Sequence, residues 1–215
     1  MSEVDVPASA LETMPVFPLS GVVLFPGTLL PLHIFEPRYR RMLADCLATH
    51  RCMAMAFVVS EGDRDDLEGT PNIARIAGVG AIVHHAPLPD GRSNIVLQGR
   101  GRVELQELPF IAPYRRARAR MLADSESPVS AVERTGLLAA AAAFAASSRR
   151  AEFELPAGIS PGAAADLCAH HLIDSPLARQ RALEEIDAAA RVRFVTATLA
   201  EQMGRARRDT RGKPD

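Results

Sequence analysis

Two adjacent histidine pairs, His84-His85 and His170-His171, are the residues of this 215-residue chain whose type most invites metal chemistry. Their spacing speaks against it. Neighbours on a strand point to opposite faces, and no compact set of further ligands accompanies either pair, so no metal site is expected. Cys46, Cys52 and Cys168 are odd in number and lack a C-x-x-C spacing, which predicts reduced, buried thiols in a cytosolic protein. His33 and Glu36 offer an acid-base pair without a nucleophile. Glu36, Arg38 and Tyr39 are read instead as structural anchors of a strand-to-helix turn. Gly99-x-Gly101 is half of a dinucleotide fingerprint, but it lies between two strand-like runs and not before a helix, so it is read as a turn.

Lysine chemistry is closed to this sequence. Lys213 is the only lysine and sits in a polar tail, which leaves none for a Schiff base, a phosphate-cradling G-x-x-x-x-G-K-[ST] loop or a serine-lysine pair. Neither a catalytic residue nor a cofactor is expected. The remaining candidate is a stripe formed by Arg116, Arg118 and Arg120. A strand's two-residue period places them on one exposed face, opposite Ala117, Ala119 and Met121. Guanidinium groups match phosphate geometry, so the stripe is a candidate polar-ligand surface for RNA or a nucleotide. Against that stand a net charge of −1, only two tyrosines and no tryptophan to stack on bases.

These residues need elements to hold them. With 47% hydrophobic and 24% charged residues, the composition is that of an ordinary globular protein. Residues 13–124 alternate short strand-like runs with turns, and from Pro128 the chain becomes alanine-rich and helical. The runs 14–19 and 29–35 contain prolines, which restrict them to sheet edges or bulges. Pro37 opens a helix to about Ala48, with Tyr39, Met42, Leu43, Cys46 and Leu47 at three-four spacing. A buried strand at 52–59 and an acidic loop at 61–69 follow. The β run 73–86 is interrupted by Gly78 and Gly80, where a bulge or close backbone approach is expected. Leu88-Pro89-Asp90-Gly91 has the composition of a tight turn joining that run to 94–98 as a hairpin. The last strand spans 114–121. Helix starts are marked at Ser127-Pro128, Ser160-Pro161, Ser175-Pro176 and Asp187. The final helix, Ala188 to about Arg207, carries Val192, Val195, Leu199 and Met203 toward a helix containing Leu167, Cys168, His171 and Leu172, and 205–215 is read as a frayed tail.

One stretch goes beyond periodicity. Phe17-Pro18-Leu19-Ser20-Gly21-Val22-Val23-Leu24-Phe25-Pro26-Gly27, followed by Pro31-Leu32-His33-Ile34-Phe35-Glu36-Pro37-Arg38-Tyr39, resembles the opening signature of Lon protease N-terminal domains. Later segments agree in order, among them Gly78-Val79-Gly80, Leu97-Gln98-Gly99-Arg100-Gly101-Arg102-Val103 and Pro113-Tyr114-Arg115. At Gly78-Val79-Gly80-Ala81-Ile82 many members have a Gly-Thr pair, so a role for that threonine does not carry over.

The resemblance implies an α+β fold: a PUA-like, mostly antiparallel β pseudobarrel with one inserted helix, followed by a C-terminal helical bundle. The expected limits are 12–124 for the β domain and 125–208 for the helical subdomain, with flexible tails at 1–11 and 209–215. It also implies a stand-alone, cytoplasmic, non-catalytic module that binds unfolded or exposed apolar polypeptide segments, in a groove between the β domain and the helices, as an adaptor in proteolysis or quality control. A protease is an expected partner and a membrane is not. RNA binding through Arg116, Arg118 and Arg120, or a protein scaffold, is the alternative.

Overall fold

The computed structural model describes residues 6–59, 71–125, 127–148 and 153–211, so the acidic loop read at 61–69 lies outside the described residues. Two compact units divide between Ala123 and Asp124. In the first, the elements run α1 (Ala8–Glu12), β1 (Met14–Leu19), β2 (Leu29–Ile34), α2 (Pro37–Ala48), β3 (Cys52–Phe57), β4 (Ile76–Pro87), β5 (Ser93–Glu107) and β6 (Arg115–Leu122). Four helices make up the second: α3 (Ala131–Ser147), α4 (Pro161–Leu172), α5 (Pro176–Glu184) and α6 (Ala188–Arg211). The tails read at 1–11 and 209–215 overlap the described residues in α1 and at the end of α6. Ala10 in α1 is fully buried, and α6 continues to Arg211. Among the described residues, no helix is long and apolar enough to cross a membrane.

Strand order in the first unit is β2-β5-β4-β3-β1-β6, and β6 also pairs with β5. The sheet therefore closes on itself as β5-β4-β3-β1-β6, antiparallel except where β1 runs parallel to β3. This is the expected pseudobarrel, with α2 inserted between β2 and β3. The proline argument holds for β2, an end strand, and fails for β1, which lies between β3 and β6. Pro15 pairs with Arg116 before the β3 ladder begins at Val16, and Pro18 pairs with Ala56 beyond the last β6 pair. Neither proline is flanked on both sides, which is what a residue without an N–H requires.

One buried cluster draws Val16, Ala54, Ala77, Val79, Val103, Leu105, Ala117 and Ala119 from every strand of the ring, so it fills the lumen. Alanines dominate because a narrow ring has little room. The second cluster joins the outer face of the ring to α2 and β2 through Leu24, Met42, Leu43, Met53, Met55, Ile82, Ile95 and Leu97. Burial on both faces explains why β3 reads as an unbroken apolar run.

Between β1 and β2 the main chain lies against the outer face of β4 and β5, at their glycines. A Cβ added to Gly78 would stand 1.9 Å from Leu24 O, and one added to Gly99 would stand 1.9 Å from Phe25 O. The segment is tied down by Gly27 N donating to Gly99 O and Gly99 N to Thr28 O, both at 2.9 Å. Gly99-Arg100-Gly101 is therefore no turn. β5 runs straight through it and exchanges one neighbour for another there: β2 along Ser93–Gln98, β6 along Arg102–Glu107. The expected hairpin turn stands, with Gly91 at φ +81° and Gly91 N donating to Leu88 O.

In the second unit, Ser130, not Ser127, caps α3 through a reciprocal box with Glu133. Ser160 and Ser175 cap α4 and α5, each with proline in the first turn, and Asp187 Oδ1 accepts from Ala190 N at the start of α6. Val192, Val195 and Leu199 are fully buried, packing against α3 as well as α4.

Two stability measurements follow. Gly78→Ala or Gly99→Ala is expected to cost roughly 1–3 kcal/mol by overpacking against fixed backbone, whereas Gly136→Ala, in open space on α3, is expected to add about 0.8–1 kcal/mol; denaturant melts report both. Glu133 is held at about 2, below its ordinary 4.5, first by the Ser130 hydroxyl and then by Arg193. A depressed carboxyl stabilises the fold fully above its unfolded value and loses that contribution as pH falls through its folded one. Glu133→Gln is thus expected to lower the thermal midpoint at neutral pH, with the gap to the parent closing as pH falls from about 5 toward about 2.

Candidate functional site

The residues of the Phe17–Tyr39 signature divide by the direction they face. Phe17, Pro18, Phe25 and Tyr39 are buried, with the Phe17 and Tyr39 rings 4.1 Å apart. Leu19 and Pro26 are half-buried, and Gly27 turns at φ +76°. Glu36 accepts from Arg38 Nε at 2.9 Å, and the Arg38 guanidinium lies over the Tyr39 ring at 4.6 Å, so these three do hold the strand-to-helix turn. His33 faces another partner, with Nδ1 2.7 Å from Asn94 Oδ1.

What remains of the signature points outward. Leu29, Pro31 and His33 are exposed along β2, alternating with Leu30, Leu32 and Ile34, which pack on the core. Phe35 continues the row, stacked on His33 at 6.0 Å. Leu29 is 56% exposed and Phe35 57%.

The arginine stripe is less uniform than its spacing. Arg120 Nε donates to Glu104 Oε2 at 3.1 Å, and Arg118 Nε lies 3.5 Å from Glu12 Oε2. Arg116 differs. It is half-buried, its guanidinium lies 4.9 Å from the centre of the Tyr114 ring, and its Nη2 donates to Tyr114 Oη at 3.3 Å. Among the described residues it has no carboxylate ion pair.

Arg116 instead lines a cleft of about 660 Å³ in the first unit, together with Pro7, Pro15, Asp45, His50 and Tyr114. Tyr114 Oη donates to Asp45 Oδ2 at 2.8 Å, and Arg41 Nε donates to Asp45 Oδ1 at 3.0 Å. Burial pushes the Asp45 carboxyl up, but these bonds outweigh it and leave it below its ordinary value; burial and the bond to Asp45 raise Tyr114. Asp45 thus stays an anion and Tyr114 a donor. His50 Nδ1 accepts from Cys52 N at 3.1 Å, and burial lowers its pKa, so the ring is neutral with its proton on Nε2. Asp45 and His50 carried no chemical signal in the sequence. Tyr114 did: it stands two residues before Arg116 on the same strand face.

Neither histidine pair converges on a site. His84 is exposed, while His85 contacts Ser93 Oγ at 3.2 Å. His170 and His171 meet edge to face at 4.6 Å, and burial pushes His170 down to about 4. Among the described residues, no three His, Cys, Asp or Glu side chains form a group able to hold a metal. Cys46, Cys52 and Cys168 are buried free thiols.

A profile of the ATP-dependent protease La (LON) substrate-binding domain matches residues 13–201. The Lon protease of Roseiflexus castenholzii is 29% identical over 204 residues, covering 91% of this chain and 25% of that protein. Lon protease 2 of Sorangium cellulosum is 30% identical over 212 residues, covering 92% of this chain and 26% of its own. This chain therefore spans about a quarter of the length of these relatives. Among solved structures, a Lon N-terminal domain protein from Xanthomonas campestris superposes with a TM-score of 0.65 at 19% identity, covering 86% of this chain and 97% of that one. The N-terminal domain of the Mycobacterium avium complex Lon protease gives 0.65 at 14% identity, covering 88% and 98%. These likenesses agree on the fold, and with the profile running over residues 13–201 the chain belongs to the Lon substrate-binding domain family.

Proposed function

We propose that this chain is a non-catalytic polypeptide-binding module, taking up exposed, largely apolar segments of other proteins as an adaptor in cytoplasmic proteolysis or quality control. The observation that carries the reading is the outward row of Leu29, Pro31, His33 and Phe35. Large apolar side chains grouped on a rigid strand, with their neighbours locked into the core, make an interaction surface and add nothing to the fold's own burial. The β domain, 12–124, carries this row, and the helical subdomain is 125–208. A bound segment leaves uncut, and cutting belongs to a protease partner.

RNA or nucleotide binding along Arg116, Arg118 and Arg120 has less to recommend it. Glu104 and Glu12 already pair with Arg120 and Arg118, so a phosphate would have to compete with them.

Fluorescence anisotropy with a labelled, reduced and carbamidomethylated protein tests the proposal. Leu29→Asp/Phe35→Asp is expected to weaken binding at least about tenfold, since burying one such side chain is worth roughly 1.5–3 kcal/mol. Unchanged affinity would sink it. Single-stranded RNA binding with a steep salt slope, lost in Arg118→Gln/Arg120→Gln, would favour the rival. The probe is expected to stay intact with or without ATP.

A further inference from the structure

We infer that the cleft lined by Pro7, Pro15, Asp45, His50, Tyr114 and Arg116 is a binding site for a carboxylate carried on a polypeptide ligand. The inference rests on the polypeptide-binding reading for its ligand class, but on different residues.

Arg116 supplies the main argument. Its neighbours on β6 are paired: Arg115 with Glu107, Arg118 with Glu12, Arg120 with Glu104. Arg116 has Asp45 nearby, yet that carboxylate is occupied by Tyr114 and Arg41. The Arg116 guanidinium lies 4.9 Å from the centre of the Tyr114 ring and spends one Nη2 proton on its Oη, while Nε and Nη1 have no hydrogen-bond partner among the described residues. Only one of its five N–H donors goes to Tyr114, so the second Nη2 proton and that of an adjacent nitrogen still form a two-donor edge that fits a carboxylate.

The surroundings favour a monoanion. Main-chain oxygens at the end of α2 would repel an anion, but Cys46 O accepts from Thr49 N and Arg51 N, and Asp45 O accepts from Thr49 Oγ1. His50 adds a donor at Nε2, its Nδ1 being committed to Cys52 N. Asp45 contributes a fixed negative charge that discourages a phosphate dianion more than a carboxylate. At about 660 Å³ the space exceeds what a small free anion needs, and Pro7 and Pro15 give it rigid apolar walls suited to a short peptide segment.

The test uses one apolar peptide in three forms: with a free C-terminal carboxylate, with a C-terminal amide, and as an amide with one internal Glu. Binding is read by anisotropy against the parent chain. The carboxylate forms are expected to bind at least about tenfold more tightly than the plain amide, as a charge-assisted hydrogen bond allows. Which of them gains more tells a chain terminus from a side chain. Arg116→Gln is expected to bring them to the amide's affinity and Arg116→Lys to keep part of the gain, while Leu29→Asp/Phe35→Asp weakens every form alike. Equal affinity of acid and amide for the parent, or an advantage that survives in Arg116→Gln, overturns the proposal. So does a phosphoserine version of the amide peptide that binds tenfold better than the carboxylate forms. A second readout separates the two readings: the Arg116 Nε–H resonance, titrated with an N-acetylated dipeptide acid and its amide. A saturable shift with the acid alone upholds this site even if no apolar peptide binds; no shift with either removes it.

Discussion

The first unit depends on a backbone that touches a backbone. Leu24 and Phe25 carbonyl oxygens occupy the volume where Gly78 and Gly99 would carry a Cβ, and that contact lets the segment between β1 and β2 lie flat on the outer face of the ring. Raise the segment and the bonds between Gly27, Thr28 and Gly99 part. β2 begins at the next residue, with Leu29 opposite Gln98, so its register on β5 is set there. A slip of one residue would turn Leu30, Leu32 and Ile34 outward and Leu29 and His33 into the core. The outward row of β2 is thus a consequence of two missing side chains on other strands.

This constraint was half legible. A glycine inside a strand signals either a bulge or a close approach, and Gly78-Val79-Gly80 supplied both: the ladder shifts register at Val79/Gly80, and Leu24 approaches Gly78. Sequence periodicity does not say which distant segment approaches. The same limit produced the misreading of Gly99-Arg100-Gly101 as a turn. Two glycines in a row of three suggest a change of direction, whereas here they mark a change of partner along a straight strand. The helix α2 was readable to its ends because its signals are local: proline at the first turn and an apolar stripe at three-four spacing. The central position of β1 was not, since it hangs on where two ladders stop relative to Pro15 and Pro18.

The arginine stripe shows the same division between local and distant information. A two-residue period places Arg116, Arg118 and Arg120 on one side of β6, and they are there. Whether each is a free charge is decided elsewhere in the chain, by Glu12 at the end of α1 and Glu104 across on β5. Arg116 escapes such pairing because its near carboxylate, Asp45, is held by the phenol of Tyr114 and by Arg41. Three equal residues in the sequence become two ion-paired cations and one with donors to spare.

In the second unit the ordering element is polar. Arg191 is fully buried near the start of α6, bound to Asp124 and to Asp166 of α4, with Nη1 donating to Glu185 O at 2.6 Å. A Cβ on Gly162 would come within 2.8 Å of the same guanidinium, so the first turn of α4 is shaped around it. Removing Arg191 and Asp166 from water costs several kcal/mol per ion, roughly what their attraction returns, while Asp124 stays exposed, so the cluster is a poor source of net stability. What it adds is direction. Apolar helix faces as rich in alanine as α3 and α4 pack acceptably at more than one rotation, but a guanidinium with three fixed partners accepts one. Alanine lets these helices approach, and Arg191 fixes how α4 is turned against α6.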